Sequence, residues 1–317
     1  MQVSSFLRCR PEWKWDCLIT MNVNVEGSLV EFSRPISEII KIRKSRRLYG
    51  NDLIRPAEKN SINEFLQANT EGPFGSKLRF KFVSATDESN KGLEKLGTYG
   101  FISNPAGYII GAVNPGPKDL EDFGYILEKV VLKVTDLGID SCWIGATFTV
   151  NEFSKKIGAN SEEVTPAVIS LGYATDERGA FERLVLRGVR AHKRLPWETL
   201  FFHADFKSPL SENDAGAFVS PLEMVRIGPS ASNRQPWRFI KVNDSLWHLY
   251  LCRTGFYQQL MRIFGRVDIQ RLDMGIAMYH FKATCMEEGI DGEWVVDEPT
   301  MNVLPGSMEY VASFMVK

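Results

Sequence analysis

The sequence predicts an α+β protein built from two duplicated halves, a single-chain pseudo-dimer. Three observations predict it. Helix-period and strand-period stretches alternate along 317 residues, enough chain for two domains. A six-position identity recurs at one offset: Asp122-x-Gly124, then Gly138-Ile139-Asp140-x-x-Trp143, returns 151 positions later as Asp273-x-Gly275, then Gly289-Ile290-Asp291-x-x-Trp294. A loop–strand pair precedes both copies: Gly72-Pro73 with Phe80-Lys81-Phe82-Val83, and Gly228-Pro229 with Trp237-Arg238-Phe239-Ile240, the second one residue longer. A repeat this long is a duplicated domain, most simply a homodimer fused about a pseudo-twofold axis.

Residues 1–33 read as an N-terminal arm. MQVSSFLRCRPEWKWDCL is broken by charge and lacks the apolar run of a secretory signal, and Met21 is an alternative start. The first half spans 34–204. Pro35 to Lys44 has helical spacing, with Pro35 in the first turn and Ile36, Ile39 and Ile40 on one stripe. Ile54 to Ala68 is a second helix, with Pro56 near its start. Leu78 to Val83 alternates as a strand, and Tyr108 to Val113 is an apolar one. From Asp122 runs the clearest helix, with Phe123, Ile126, Leu127, Val130, Val131, Val134 and Leu137 three and four apart and Gly138 ending it. A helix over Val150–Ile157 and a strand over Ala167–Tyr173 follow. Residues 205–216, with Pro209, Ser211, Asn213 and Gly216, read as a linker. The shorter second half spans 217–317, and its helix stripe repeats the first as Met274, Ala277, Met278, Phe281 and Cys285.

Hydrophobic residues at 44%, charged residues at 24% and a net charge of -1 describe an ordinary globular chain and disfavour a surface tuned for nucleic acid. Five scattered cysteines with no CxxC pair suggest neither a zinc ribbon nor a disulfide scaffold, and a reducing cytoplasm is the simplest home. No apolar run reaches membrane-spanning length. HExxH, Walker, GxGxxG and GxSxG motifs are absent, and His192, His203, His248 and His280 lack metal-ligand spacing. No residue stands out as catalytic acid, base or nucleophile, and no metal is expected.

Two stretches carry chemistry. In Gly228–Trp237, small residues let a backbone approach a flat ligand, and the amides of Asn233 and Gln235 offer donors and acceptors. From these residues alone, a plain helix–strand connection reads equally well. Arg43-Lys44-Ser45-Arg46-Arg47 supplies guanidinium forks and a hydroxyl suited to a phosphate, yet a solvated face or nucleic-acid patch explains an isolated basic run better. Arg178, Arg183, Arg187, Arg190 and Arg194 read mostly as surface, with Lys193 and His192 as possible neighbours of a phosphate. Trp143 and Trp294, both on the repeat, read as packing. The halves are unequal: the first alone has the arginine–serine cluster, the second alone the Asn-x-Gln-Pro-Trp loop. A ligand needing both would find one site in this chain.

These residues resemble the FMN-dependent nitroreductase family. Arg43–Tyr49 is similar to its Arg-Arg-Ser-x-Arg-x-aromatic motif, with Lys44 in the second place. Pro229–Trp237 is similar to its Pro-Ser-Ser-x-Asn-x-Gln-Pro-Trp loop, with Ala231 replacing the second Ser. Gly138–Gly145 and Arg194–Glu198 match two further stretches, with Asp140 where Gly is usual. The resemblance, strongest to members with two joined halves, implies a nitroreductase-like fold and one FMN between the halves. It implies a phosphate held by Arg43, Ser45, Arg47 and Arg194, and a ring near Ile144, Gly145, Pro229, Ser230, Ala231, Asn233 and Gln235. It further implies ping-pong turnover: NAD(P)H reduces the flavin and a nitro compound, quinone or other small electrophile reoxidises it. A flavin-binding module that does not turn over, a sensor or store, is the alternative. The fused interface favours a monomer, with neither nucleic acid nor membrane as partner.

Overall fold

Strand order in the two sheets repeats as the sequence does. The computed structural model describes residues 31–84, 102–145, 150–175, 193–255, 267–299, 306 and 308–317. Residues 1–30, which include most of the expected arm, and Arg178, Arg183, Arg187, Arg190 and His192 lie outside them. Arg34–Lys317 form one compact unit. The first sheet holds β1 (Leu78–Ser84), β2 (Gly107–Val113), β3 (Asp140–Ile144) and β4 (Val168–Gly172) in the order β1-β2-β4-β3, all antiparallel. The second holds β5 (Phe201–His203), β6 (Trp237–Asn243), β7 (Leu246–Cys252), β8 (Gly292–Val295) and β9 (Met308–Val316) in the order β5-β6-β7-β9-β8. Without β5, its order is that of the first sheet, again antiparallel. β5 is the exception: it pairs with β6 in parallel, at the outer edge.

Seven helices lie among the described residues: α1 (Ile36–Ile42), α2 (Pro56–Ala68), α3 (Asp119–Asp136), α4 (Val150–Ile157), α5 (Glu212–Ala215), α6 (Val219–Arg226) and α7 (Ile269–Glu287). The long helices α3 and α7 carry the repeat and pack on each other. A Cβ at Gly124 would stand 2.2 Å from the Leu272 carbonyl oxygen, and one at Gly275 would stand 2.1 Å from that of Glu121. Leu272 and Glu121 are themselves 151 apart, so the two contacts are images of each other. The helix ends match as well. Gly138 and Gly289 take left-handed φ of 79° and 77°, and the next amide closes the helix, Ile139 to Val134 at 2.9 Å and Ile290 to Cys285 at 2.8 Å. Hydrophobic cores form on both sheets, around Phe123, Leu127 and Ile169 in the first and Trp237, Phe239, Phe281 and Phe314 in the second.

The expected linker, residues 205–216, is less of a free connection than its polarity suggests, as is the strand before it. Leu200, Phe201, Leu210 and Ala215 are buried in the second core, and Leu210 N–H donates to the Phe201 carbonyl at 3.0 Å. The end of the first half thus contributes a strand to the second sheet.

Candidate functional site

The arginine–serine segment follows α1 and is stitched to the first sheet rather than left as a solvated run. Arg46 N–H donates to the Ser141 carbonyl at 2.9 Å, Ser103 N–H to that of Arg47 at 2.8 Å, and the Tyr49 hydroxyl pairs with Ser170 at 2.9 Å. Arg46 also lies 3.8 Å from Asp140. Arg43 and Ser45 approach at 3.4 Å. Nε of Arg43 and Nη1 of Arg47 are buried with no hydrogen-bond partner among the described residues. Buried donors of this kind are rare and call for a ligand, ion or water.

The Gly228–Trp237 loop leaves α6 and enters β6 through strained backbone. Ser232, Asn233 and Gln235 all have left-handed φ, at 50°, 55° and 50°. Each such residue costs about 1–2 kcal/mol, so the surroundings must over-determine the shape. They do: Ser230 Oγ accepts from Gln235 N–H at 2.9 Å, Asn233 N–H reaches the Ser230 carbonyl at 3.0 Å, and Ala231 N–H donates to Asp273 Oδ1 at 2.9 Å.

The two segments meet. Ser45 and Arg47 from the first half, Pro229, Ser230, Ala231 and Ser232 from the second, and Trp143, Gly145, Ile269, Leu272, Asp273 and Ile276 line one cavity of about 220 Å³. Gly145 keeps its wall thin, since a Cβ there would sit 3.3 Å from Ile269.

Five residues read from the sequence stand elsewhere. Ile144 is buried in β3 and packs in a separate cluster with Tyr49, Tyr108, Phe153 and Val168. Asn233 and Gln235 turn their amides away from the cavity. Asn233 Oδ1 accepts from Arg194 Nη1 at 2.7 Å and its Nδ2 donates to the Lys193 carbonyl at 2.8 Å, while Gln235 Oε1 accepts from Leu195 N–H at 2.8 Å. The expected free amide at Ala231 is likewise engaged, by Asp273. Arg194, also bonded to the Ile227 carbonyl at 2.9 Å, is lowered in pKa by burial and then by repulsion from Arg43. That repulsion places the two guanidiniums near one another. Arg43 therefore flanks the cavity beside Ser45, with Arg194 near it, and neither lines it.

Six cavity residues escaped the sequence reading: Ser232, Ile269, Leu272, Ile276 and two with side-chain hydrogen bonds. Trp143 lines the cavity, and its Nε1 donates to Glu128 at 2.7 Å. Glu128 also meets Nε2 of His280 at 2.9 Å, whose Nδ1 faces the Met224 carbonyl at 2.9 Å, all fully buried between α3 and α7. Asp273 is the other; the repeat itself was the signal, since it aligns with Asp122 beside an equivalent loop. Among the described residues no three His, Cys, Asp or Glu gather to hold a metal, and no helix is long and apolar enough to cross a membrane.

A family model described as "Putative TM nitroreductase" matches residues 35–285. Among solved structures, a "putative nitroreductase" from Thermotoga maritima is similar at 19% identity over 89% of this chain and 93% of that one, with a TM-score of 0.53. A nitroreductase family protein from Clostridium novyi matches at 20% identity over 45% of this chain and 87% of that one, TM-score 0.38. A nitroreductase with bound FMN from Desulfitobacterium hafniense matches at 19% identity over 46% and 92%, TM-score 0.36. No curated protein matches. The Thermotoga structure shares the α+β nitroreductase fold.

Proposed function

The chain belongs to the "Putative TM nitroreductase" family, and from that premise we propose that it is an FMN-dependent oxidoreductase whose one site is assembled from two fused, nitroreductase-like halves. The observation that carries the proposal is the pair of buried guanidinium nitrogens, on Arg43 and Arg47, beside the Ser45 hydroxyl and without a partner among the described residues. A phosphate monoester satisfies such donors with charge-assisted hydrogen bonds. Arg194, close enough to Arg43 to repel it, adds a third cation that an anion would relieve. The cavity is below the few hundred Å³ usual for a whole cofactor pocket. A flavin nucleotide would accordingly extend from it towards Arg43 and Arg194.

In this reading the flavin, when bound, supplies the hydride chemistry, with NAD(P)H as donor and a nitro compound, quinone or similar electrophile as acceptor. The protein holds and shields. Arg43, Ser45, Arg47 and Arg194 bind the phosphate. Gly145 and Pro229–Ser232 present close, mostly backbone walls to a flat ring, and Trp143, Ile269, Leu272 and Ile276 exclude water from its face. Asn233 and Gln235 act at one remove, fixing the Lys193–Leu195 segment that aims Arg194. Because both contributing halves lie in one chain, a monomer suffices, and free cysteines at Cys142, Cys252 and Cys285 suit a reducing cytoplasm.

The test is spectral. Purified protein supplied with FMN is expected to bind it, bleach anaerobically with NADH or NADPH, and recover its colour on adding a nitroaromatic. Absence of bound flavin would sink the proposal; bound flavin that stays oxidised would leave a non-catalytic flavin module.

A further inference from the structure

The repeat supplies its own internal control for one carboxylate. Asp122 and Asp273 occupy the same position on α3 and α7 and fasten the same kind of loop. Asp122 uses both oxygens: Oδ1 accepts from Phe74 N–H and Oδ2 from Ser76 N–H, each at 2.9 Å. Asp273 uses one. Its Oδ1 accepts from Ala231 N–H, whereas Oδ2 is buried and has no partner among the described residues. The side chain is 3% exposed and lines the cavity. An unpaired carboxyl oxygen in such a place costs stability unless a ligand completes it.

We propose that Asp273 is a ligand-binding residue, held as the neutral carboxylic acid, whose Oδ2–H donates a hydrogen bond to an acceptor atom on the flavin. This rests on the FMN reading above. The donor form follows from the surroundings. Oδ1 is the accepting oxygen, so the proton belongs on Oδ2, which then needs an acceptor rather than a donor. Burial raises the carboxyl pKa well above its usual range, and Asp268 at the N-cap of α7 raises it further. Asp268 is itself paired with Arg253, and Glu121 on the facing α3 with Arg271. The hydrogen bond from Ala231 N–H opposes the shift; Arg47 is the cation on the same cavity. Carbonyl oxygens and ring nitrogens of a flavin are acceptors of the required kind.

Asp273→Asn separates the possibilities, because an amide keeps an oxygen for Ala231 and an N–H for the cavity. FMN affinity is read by quenching of flavin fluorescence for the wild type, D273N and the repeat-equivalent control D122N, over about pH 5 to 9. The phosphate of FMN titrates in this range in every protein alike, so differences between proteins isolate the carboxyl. The expected result is a wild type, and a D122N, that lose about tenfold or more affinity relative to D273N as pH rises through the Asp273 ionisation, while D273N stays within about threefold of the wild type at the acid end. Identical profiles for wild type and D273N overturn the inference and leave the FMN reading standing. So does a D273N that binds about tenfold more weakly at all pH values beside a wild type that tightens as pH rises, since the carboxylate is then an acceptor. A wild type that binds no FMN overturns both. Should D273N fail to fold, the comparison passes to Asp273→Ser, which retains a hydroxyl donor and does not ionise; profiles identical to wild type again overturn the inference.

Discussion

Arg47 and Asn233 stand on different halves and would support the same ligand by different routes. Arg47 offers an unsatisfied nitrogen on the cavity itself, so Arg47→Ala is expected to weaken FMN binding about tenfold or more, read by equilibrium titration. Asn233 would act through Arg194, whose Nη1 donates to its Oδ1 at 2.7 Å. Asn233→Ala should weaken binding too, but adding it to Arg194→Ala should change little, since the two remove one device. Additive losses would mean that Asn233 touches the ligand itself. Glu128 makes a third case. It receives the Trp143 indole and the His280 ring in a fully buried place, and His280 Nδ1 must donate to a carbonyl. Glu128→Ala strands the Trp143 N–H and takes the partner from His280 Nε2, and is expected to cost about 1–3 kcal/mol or more in chemical denaturation.

At the scale of elements, the α3–α7 crossing fixes how closely the halves approach. Gly124 and Gly275 each meet backbone of the opposite helix, which no rotamer change can relieve. Alanine at either position forces the helices apart, at about 1–3 kcal/mol or more, and the two costs should be similar because the contacts are images of each other. Thermal melts of Gly124→Ala and Gly275→Ala measure this; a silent substitution at one site would break the symmetry. Legibility in the sequence followed periodicity. The α4 bounds and the β1 alternation could be read because one face of each is wet, and the α3 stripe because its apolar residues stand three and four apart, although no residue of that helix is exposed. β7 escaped because Trp247 to Leu251 are buried on both faces, which removes the alternation, and His248 breaks the continuous apolar run by which the equally buried β2 could be read. The site was half legible for a related reason. Residue types announced the two segments, but the direction of a side chain depends on backbone that single residues do not encode. The left-handed turn at Ser232, Asn233 and Gln235 swings both amides towards Lys193–Leu195.

For the whole molecule, the halves share an electrostatic habit: acids buried at the starts of the paired helices. Burial raises the pKa of Glu121 and Asp122 and most strongly that of Asp273. A carboxyl raised by folding binds its proton more tightly in the folded state, so its contribution is largest near pH 4 and is lost as pH rises towards the folded pKa. Glu163, held low by its hydrogen bond from Arg79, works in the other direction and loses its contribution as pH falls. Replacing Asp122 by Asn removes one raised group, so the stability of that variant, though lower overall for losing one accepted N–H, should decline less than the wild type's between about pH 4 and 7. A steeper decline would show that Asp122 is ionised in the folded protein throughout. The parallel β5 has a consequence of another kind. The first half's last strand lies in the second sheet, with Leu200 and Phe201 in its core, before the chain turns at residues 204–208. A nick at that turn would give two fragments, each carrying apolar surface that only the other covers, and neither should fold unaided. Tethered to two proteins that bind each other, such fragments would regain structure on contact, turning the strap into a complementation reporter with flavin colour as its signal.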